Sequence, residues 1–205
     1  VAIGYKSSKD AAEALVADIK KAGGGATAFV ADTSKPAACA QLVKDAVAKY
    51  GKVDILVNNA GIGGRKMAGE IDHAYFTSLF ETNVLSVFMM IKEVLPHMGP
   101  GGRIINISSR IALTPYPGAA MYGATKGAIN SLTGCFAHEL GEKGITVNAV
   151  APGLIETDAT RDSIPPRREQ VIASTPLRRI GQVDDIAGIV AFLASEDSKW
   201  MTGRV

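Results

Sequence analysis

The sequence Val53-Asp54-Ile55-Leu56-Val57-Asn58-Asn59-Ala60-Gly61 is a short apolar run that ends in two asparagines and a glycine. A run of this length, bounded by turn-forming residues, is typical of a strand buried in a parallel sheet. Ligands bind such sheets outside the carboxyl ends of their strands. The residues that follow Val57 therefore indicate both the end of a strand and one side of a binding site.

Similar runs alternate with segments of helical period along the whole chain. The predicted strands are 1–5, 27–31, 53–57, 102–107 and 145–150, and the predicted helices begin near Ser7 or Ser8, Ser34, Tyr75, Ala119 and Val183. This alternation predicts an α/β fold, a doubly wound parallel sheet of the Rossmann type. Neither a repeat nor a linker divides the sequence, so we expect residues 1–205 to form a single domain.

The composition excludes several classes of protein. The 205 residues are 47% hydrophobic and 20% charged, with a formal net charge of +2, and the two signs of charge are interspersed. A nucleic-acid or membrane partner is therefore not expected, and the uninterrupted apolar runs are far shorter than the roughly 20 residues of a membrane span. Cys39 and Cys135 fit neither a disulfide framework nor a metal site. We expect a cytoplasmic protein, without a metal, that binds a small molecule.

Four predicted strands end in small, polar or glycine-containing segments. Asp32 and Thr33 follow the second strand, Asn59-Ala60-Gly61 lies after the third, Ser108-Ser109 follows the fourth, and Ala151-Pro152-Gly153 follows the fifth. The carboxyl ends of parallel strands share one edge of a sheet. We therefore expect these segments to surround one ligand.

Tyr122 and Lys126 are spaced to project from one face of a predicted helix, a turn apart. A phenol with a pKa of about 10 is a poor acid or base near neutral pH, and a nearby ammonium group stabilises the phenolate. The pair therefore indicates a general acid/base whose pKa is lowered by lysine. Because this spacing also arises by chance, a surface Tyr–Lys pair is the alternative.

These residues lie in segments that resemble motifs of the short-chain dehydrogenase/reductase family. The matching segments are Asn58-Asn59-Ala60-Gly61 (NNAG), Ile105-Asn106-Ile107-Ser108-Ser109 (the serine-bearing strand), Tyr122-Gly123-Ala124-Thr125-Lys126 (YxxxK) and Pro152-Gly153-Leu154-Ile155-Glu156-Thr157 (PGxxxT). Ser109 precedes Tyr122 by 13 positions, which is the family's spacing. The resemblance is closest to 3-oxoacyl carrier-protein reductases and related sugar or polyol dehydrogenases. It implies reversible hydride transfer between a nicotinamide cofactor and a ketone or secondary alcohol.

The resemblance also implies four catalytic residues. Tyr122 would donate a proton to the carbonyl oxygen, and Ser109 would hydrogen-bond the same oxygen. Lys126 would lower the pKa of Tyr122 and hold the nicotinamide ribose. Asn83 would hold, with its amide, a water that links Lys126 to solvent. The structural alternatives are a strand-end cap for Ser109 and a helix kink for Asn83.

Further residues are implied along the path of the cofactor. By resemblance, Asp32 contacts adenine with Thr33 beside it, and the backbone of Asn59-Ala60-Gly61 packs on the adenosine ribose. The remaining implied cofactor contacts come from the PGxxxT segment and from the catalytic pair: Pro152, Gly153, Ile155, Thr157, Tyr122 and Lys126.

The choice between NAD(H) and NADP(H) depends on the residues at the end of the strand that contacts the adenosine ribose. NAD-specific sites of this fold place an acidic side chain there, and a basic side chain instead receives the 2′-phosphate of NADP. The corresponding stretch here, Gly4-Tyr5-Lys6-Ser7-Ser8, contains no acid. We therefore predict that NADP(H) is preferred over NAD(H), with Lys6 and Ser7 at the phosphate. A solvated Lys6 is the alternative.

One family motif, the glycine-rich phosphate loop TGxxxGxG, does not occur in the 205 residues. In the family this loop belongs to a first βα unit whose strand lies at the centre of the sheet. We expect the given sequence to lack that unit and part of a last strand that begins near Met201. Stable folding and cofactor binding by residues 1–205 alone are therefore open at this stage.

Three expectations concern the surface. The helix from Tyr75 to His97 is apolar over a wide arc, so we expect a homo-tetramer formed through this helix and the one from Ala119. A flap at 152–176 and the loop at 110–117 should line the substrate pocket. Arg161, Arg167 and Arg168 in that flap could meet an anionic carrier or be solvated.

A non-catalytic cofactor-binding or scaffold protein of the same fold is the alternative function.

Overall fold

The computed structural model of the protein describes residues 1–205, the side chain of Ser163 excepted. The strands are β1 Ala2–Tyr5, β2 Thr27–Val30, β3 Ile55–Asn58, β4 Arg103–Ile107 and β5 Thr146–Val150. The α-helices are α1 Lys9–Lys21, α2 Pro36–Tyr50, α3 His73–Phe80, α4 Ser86–Val94, α5 Ala120–Gly141, α6 Arg168–Ser174 and α7 Val183–Ala194. These bounds lie within a few residues of the predicted ones.

The strand pairs among the described residues are parallel, which confirms the predicted Rossmann-like α/β class. β1 pairs with β2, and β4 lies between β3 and β5 in a second sheet. Within the described residues, β1 and β3 are not paired with each other. In the second sheet Asn58 lies opposite Asn106, and Ile107 lies opposite Val150. The residues that follow these three strands therefore lie at one edge.

The hydrophobic core lies on both faces of the second sheet. On one face, Ile91 of α4 and Leu140 of α5 are fully buried with Ile104 and Val147 of the sheet. On the other face, Leu193 of α7 packs against Ile105 and other sheet residues. Helices on both faces are the doubly wound arrangement.

The apolar strand β3 is buried less evenly than its sequence suggests. Leu56 is buried, but Ile55 and Val57 are 45% and 41% exposed. Successive side chains of a strand point to opposite faces. One face of β3 is therefore only partly covered by the described residues.

The predicted helix from Tyr75 to His97 is a helical segment with an irregular middle. α3 and α4 are joined by a π-helical turn at Glu81–Leu85, and a 3-10 turn at Leu95–His97 follows α4. A π turn widens the helix by one residue and is frequent at functional sites. Asn83, only 1% exposed, lies at its centre.

The segment His73–His97 is long and apolar enough, by length and composition alone, to cross a membrane. Its inner side chains, including Ile91, pack in the core of the sheet domain. Phe76 and Phe88 are exposed on its other side. The composition is accounted for by a core helix that also presents an apolar outer face.

The chain after α5 and β5 follows the expected course. The flap at 152–176 contains the predicted short helix, α6. The final residues lie beside β5, where Gly203 N donates to Val147 O at 2.7 Å and Ala149 N donates to Arg204 O at 2.7 Å. They make these bonds without forming a regular strand in the described chain.

Arg178, in the turn between α6 and α7, has a left-handed backbone with φ of 53°. A side chain in this conformation costs free energy that glycine avoids. Its guanidinium donates to the carbonyl oxygen of Ala173 across the turn. The neighbouring Leu177 is 76% exposed and has no such backbone conformation.

We expect Arg178→Val to lower the free energy of unfolding by about 1 kcal/mol relative to Arg178→Gly, because a β-branched residue fits the left-handed region poorly. Urea unfolding of both variants measures the difference. Leu177 is the matched control, and there the order should reverse, with Leu177→Gly less stable than Leu177→Val. An equal ranking at both positions would contradict the backbone explanation.

Candidate active site

The side chains of Ser109 and Tyr122 meet at the carboxyl edge of the second sheet. Ser109 follows β4, and Tyr122 lies in the first turn of α5. The Ser109 hydroxyl lies close enough to the phenol to influence the pKa of Tyr122. Ser109 also accepts from Ile111 N at 3.3 Å and so caps the 3-10 turn that follows. Ser109 therefore has the structural role considered for it, a cap at the end of the strand, and also lies beside the tyrosine.

The electrostatics of Tyr122 differ from the expectation. Burial raises the pKa of its phenol, the hydrogen bond from Ser109 opposes that shift, and Tyr116 raises the pKa further. The net pKa shift is upward, whereas we expected Lys126 to lower it. The Lys126 Nζ atom lies 5.8 Å from the centroid of the Tyr122 ring, and desolvation of the phenolate outweighs its influence.

Lys126 is a buried lysine, 6% exposed, one turn along α5 from Tyr122. Its Nζ atom donates to the main-chain oxygen of Ile107 at 2.7 Å. Burial lowers the pKa of the Lys126 ammonium to about 8. Among the described residues, Lys126 forms no ion pair with a carboxylate.

The side-chain amide of Asn83 is occupied by protein partners. Its Oδ1 accepts from Ile62 N at 2.8 Å, and its Nδ2 donates to Ile62 O at 2.8 Å and to Thr125 Oγ1 at 3.1 Å. Thr125 Oγ1 in turn donates to Tyr122 O at 2.8 Å. Both amide hydrogens are thus used by protein partners, which leaves the second lone pair of Oδ1 for the expected water. Asn83 also ties the loop after β3 to α5.

Gly61 brings the loop after β3 into the same place. A Cβ atom at this position would lie 3.2 Å from Asn83 Oδ1 and 3.7 Å from Lys126 Nζ. Asn59, Ala60 and Gly61 are all exposed at the end of β3. Their backbone is therefore open to a ligand beside Lys126.

A second group lies where the first sheet ends. Lys6 Nζ is 2.8 Å from Asp32 Oδ2, and Ser34 Oγ donates to Asp32 Oδ1 at 2.7 Å. The hydrogen bonds from Lys6 and Ser34 lower the pKa of Asp32 to about 2. Ser7 and Thr33 flank this pair, and the Thr33 carbonyl accepts from a cysteine thiol. The structure thus pairs Lys6, which is predicted to bind the 2′-phosphate, with Asp32, which is predicted to contact adenine.

The segment from Pro152 to Thr157 is held by main-chain contacts. Pro152 O accepts from Arg110 N at 2.9 Å, and Ile155 forms a parallel bridge with Gly181. Thr157 N donates to Thr160 Oγ1 at 2.9 Å. Space is open where a Cβ would lie on Gly153. Within the described part of the chain, no side-chain hydrogen bond or ion pair joins these residues to Tyr122.

The flap arginines have different surroundings. Arg161 pairs with Asp158, and Arg168 Nη1 lies 3.6 Å from Glu156 Oε1. Both guanidinium groups remain more than half exposed. Among the three arginines considered for an anionic carrier, at least these two therefore already have an acidic neighbour.

Sequence reasoning missed the buried polar side chains beneath the site. Asn58 Nδ2 donates to Asn106 Oδ1 at 2.9 Å, and Asn106 Nδ2 donates to Thr133 Oγ1 at 2.9 Å. Ser108 Oγ donates to Asn130 Oδ1 at 2.6 Å. The sequence signal for these buried contacts was a polar residue in or beside each apolar strand, together with Asn130 four residues after Lys126.

The fold and this arrangement define a Rossmann-like oxidoreductase with a Ser–Tyr–Lys site. A family model described as Enoyl-(Acyl carrier protein) reductase matches residues 1–205. The 3-oxoacyl-(acyl-carrier-protein) reductase FabG of Staphylococcus epidermidis is 40% identical over 206 residues, which cover 100% of this chain and 84% of that protein. The chain belongs to the short-chain dehydrogenase/reductase family, and it is an NAD(P)-dependent oxidoreductase.

Solved structures agree with this assignment. A dehydrogenase/reductase from Sinorhizobium meliloti 1021 superposes with a TM-score of 0.96 at 38% identity, over 100% of this chain and 81% of that one. A short-chain dehydrogenase from Burkholderia cenocepacia J2315, solved in complex with NADP, gives 0.93 at 32% identity, over 100% and 83%. The resemblance stated from the motifs is confirmed.

The lowered pKa of Lys126 makes stability depend on pH. Between about pH 8 and 10 the folded protein has released this proton while the unfolded chain keeps it, so stability rises with pH. Relative to Lys126→Met, the native protein should gain about 2 kcal/mol over this interval. Urea unfolding at several pH values measures the difference. The exposed Lys92→Met is the control, and an equal pH slope in all three proteins would contradict the burial of a charged Lys126.

Proposed function

We propose that the protein reduces ketones to secondary alcohols, and catalyses the reverse oxidation, with NADP(H) preferred over NAD(H). The observation that carries the proposal is the convergence of Ser109, at the end of β4, with Tyr122 and the buried Lys126, whose Nζ atom lies 5.8 Å from the Tyr122 ring centroid. The bound nicotinamide supplies or accepts the hydride. The protein's own residues supply the proton and hold the substrate oxygen.

Tyr122 is the proton donor in the reductive direction. Its raised pKa keeps the phenol protonated near neutral pH, as a donor requires. Ser109, beside Tyr122, donates to the same carbonyl oxygen as negative charge develops on it. The two hydroxyls thus define the position of the reacting oxygen.

Lys126 and Asn83 support the proton donor. With a pKa of about 8, the Lys126 ammonium is mostly charged at neutral pH, and it holds the ribose hydroxyls of the cofactor and stabilises the tyrosinate. A water that links Lys126 to solvent binds the Asn83 amide at Oδ1, which has accepted one hydrogen bond, from Ile62 N, and has a second lone pair.

The residues present suit the two ends of a dinucleotide. The exposed backbone of Asn59-Ala60-Gly61 and the open space at Gly153 accommodate ribose and nicotinamide groups without a clash from a side chain. Lys6 is 69% exposed at the end of β1 and meets the 2′-phosphate, with Ser7 beside it, while Asp32 and Thr33 contact adenine. Pro152, Ile155 and Thr157 hold the nicotinamide side. The Burkholderia cenocepacia relative that was solved with NADP supports this preference.

Two further properties belong to this proposal. The exposed apolar face on α3, α4 and α5, lined by Phe76, Phe80, Val84, Phe88 and Leu132, packs against a second copy in a homo-tetramer. Burying such a face against an identical one removes apolar area from water. We place the protein in the cytoplasm, where a pool of the cofactor is available to it.

Replacing the proton donor tests the proposed activity. We expect Tyr122→Phe to lower kcat for NADPH-dependent reduction of a ketone panel by about 10²- to 10⁴-fold, because it removes the general acid. Tyr75→Phe, outside the site, is the control and should retain kcat. If the wild-type protein binds NADPH and Tyr122→Phe changes no rate, the non-catalytic scaffold alternative is correct.

Lys6 tests the cofactor preference. Lys6→Ala should raise KM for NADPH by about 10-fold while changing KM for NADH by less than about twofold, because only NADPH carries the phosphate. Lys9→Ala removes another exposed lysine three residues along and serves as the control. A wild-type preference for NADH, or equal effects of Lys6→Ala on both cofactors, would show that Lys6 does not bind the phosphate.

A further inference from the structure

We infer that Ser108 and Asn130 form a positioning pair that holds the catalytic turn of α5 on the end of β4. This inference rests on the proposed function, because it concerns the placement of Tyr122 and Lys126. Neither residue is among the motif residues that the family resemblance identifies as catalytic. Ser108 immediately precedes the catalytic serine, and Asn130 lies one turn beyond the catalytic lysine.

The pair joins the residue after β4 to α5 by a short side-chain hydrogen bond. Ser108 is 2% exposed, and its Oγ donates to Asn130 Oδ1 at 2.6 Å. The same hydroxyl lies 3.2 Å from the main-chain oxygen of Lys126 and donates there too. Because a hydroxyl has one hydrogen, these two acceptors share it. The hydroxyl is thus fixed between two successive turns of the catalytic helix.

Lys126 is consequently tied to β4 at both ends. Its Nζ atom donates to the main-chain oxygen of Ile107. Its own main-chain oxygen accepts from the hydroxyl of Ser108, the residue that follows Ile107. Rotation or sliding of α5 would have to break both contacts. The position of the ammonium group is therefore set by the backbone of the strand and by the Ser108 hydroxyl together.

The same short segment sets the position of the proton donor. Adjacent residues at a strand end point in opposite directions, and here Ser109 influences the Tyr122 phenol while Ser108 bonds Asn130. One stretch of backbone therefore fixes both the serine that contacts the tyrosine and the helix that carries it. Loss of the Ser108 bond would change the distance between Ser109 and Tyr122 without removing either one.

A comparable bond in the same interface provides a control for stability alone. Asn106 of β4 donates to Thr133 Oγ1 of α5 at 2.9 Å, and both residues are fully buried. Thr133 lies about two turns from Lys126 and contacts neither Lys126 nor Tyr122 by a hydrogen bond. Thr133→Val should therefore weaken the packing of α5 without moving the catalytic turn.

The test compares Ser108→Ala, Asn130→Leu and the double variant with the wild type and Thr133→Val. We expect each single variant to lower kcat for NADPH-dependent ketone reduction by about tenfold or more, since small misplacements of reacting groups slow chemistry. The double variant should be no slower than the slower single variant, because Ser108→Ala already removes the bond that Asn130→Leu removes. Thr133→Val should lower Tm and keep kcat within about twofold.

A second readout needs no turnover. Spectroscopic titration of the tyrosines, with Tyr122→Phe as the reference, follows the pKa of Tyr122 in each folded variant. Ser108→Ala and Asn130→Leu should raise this pKa relative to wild type, because the opposing hydrogen bond from Ser109 is weakened. Thr133→Val should leave it unchanged.

The possible failures are distinguishable. If wild type reduces ketones but Ser108→Ala and Asn130→Leu change only Tm, as Thr133→Val does, the pair is merely structural and the inference is wrong. Multiplicative losses in the double variant would show two separate roles and would also overturn it. If wild type shows no Tyr122-dependent activity, the proposed function fails and the inference falls with it.

Discussion

The burial of the Lys126 ammonium is the constraint on which the arrangement of the site depends. A charge taken out of water is costly unless hydrogen bonds compensate it. Here the side chain is 6% exposed, and Ile107 O receives one of its hydrogens at 2.7 Å. The lowered pKa shows that compensation is incomplete. The surrounding fold must therefore hold α5 against β4 firmly enough to keep the ammonium inside.

Polar side chains on two sides of α5 hold this helix in place. Asn83 ties the helix to the loop after β3 through Thr125, and Ser108 ties it to the end of β4 through Asn130. Fully bonded polar groups in a low-dielectric interior specify one geometry more strongly than apolar packing does. Stability in this region comes instead from the aliphatic core around Ile104. The aliphatic contacts thus stabilise the fold, and the polar contacts set the position of α5 at the site.

Much of the fold was predictable because alternation of apolar runs and helical period depends on local sequence. The strands and α7 lie close to their predicted bounds, and a helical segment does run from His73 to His97. The types of the site residues were also predictable, since hydroxyls, a phenol and an amine suit this chemistry. The π turn at Asn83 and the direction of the Tyr122 pKa shift were not. Both follow from tertiary contacts and burial, which spacing along the chain does not encode.

The two lysines of the site differ in the way that their tasks require. Lys126 is buried, and its position is fixed by backbone and by Ser108, so its charge acts at one place. Lys6 is 69% exposed, and its partner Asp32 is a side chain that a phosphate group can replace. Exposed ion pairs contribute little stability, so exchanging one partner for another is inexpensive. Under the proposed function, the chemistry depends on the buried, rigidly held charge of Lys126, and cofactor discrimination depends on the exposed charge of Lys6, where exchange of partners is part of binding.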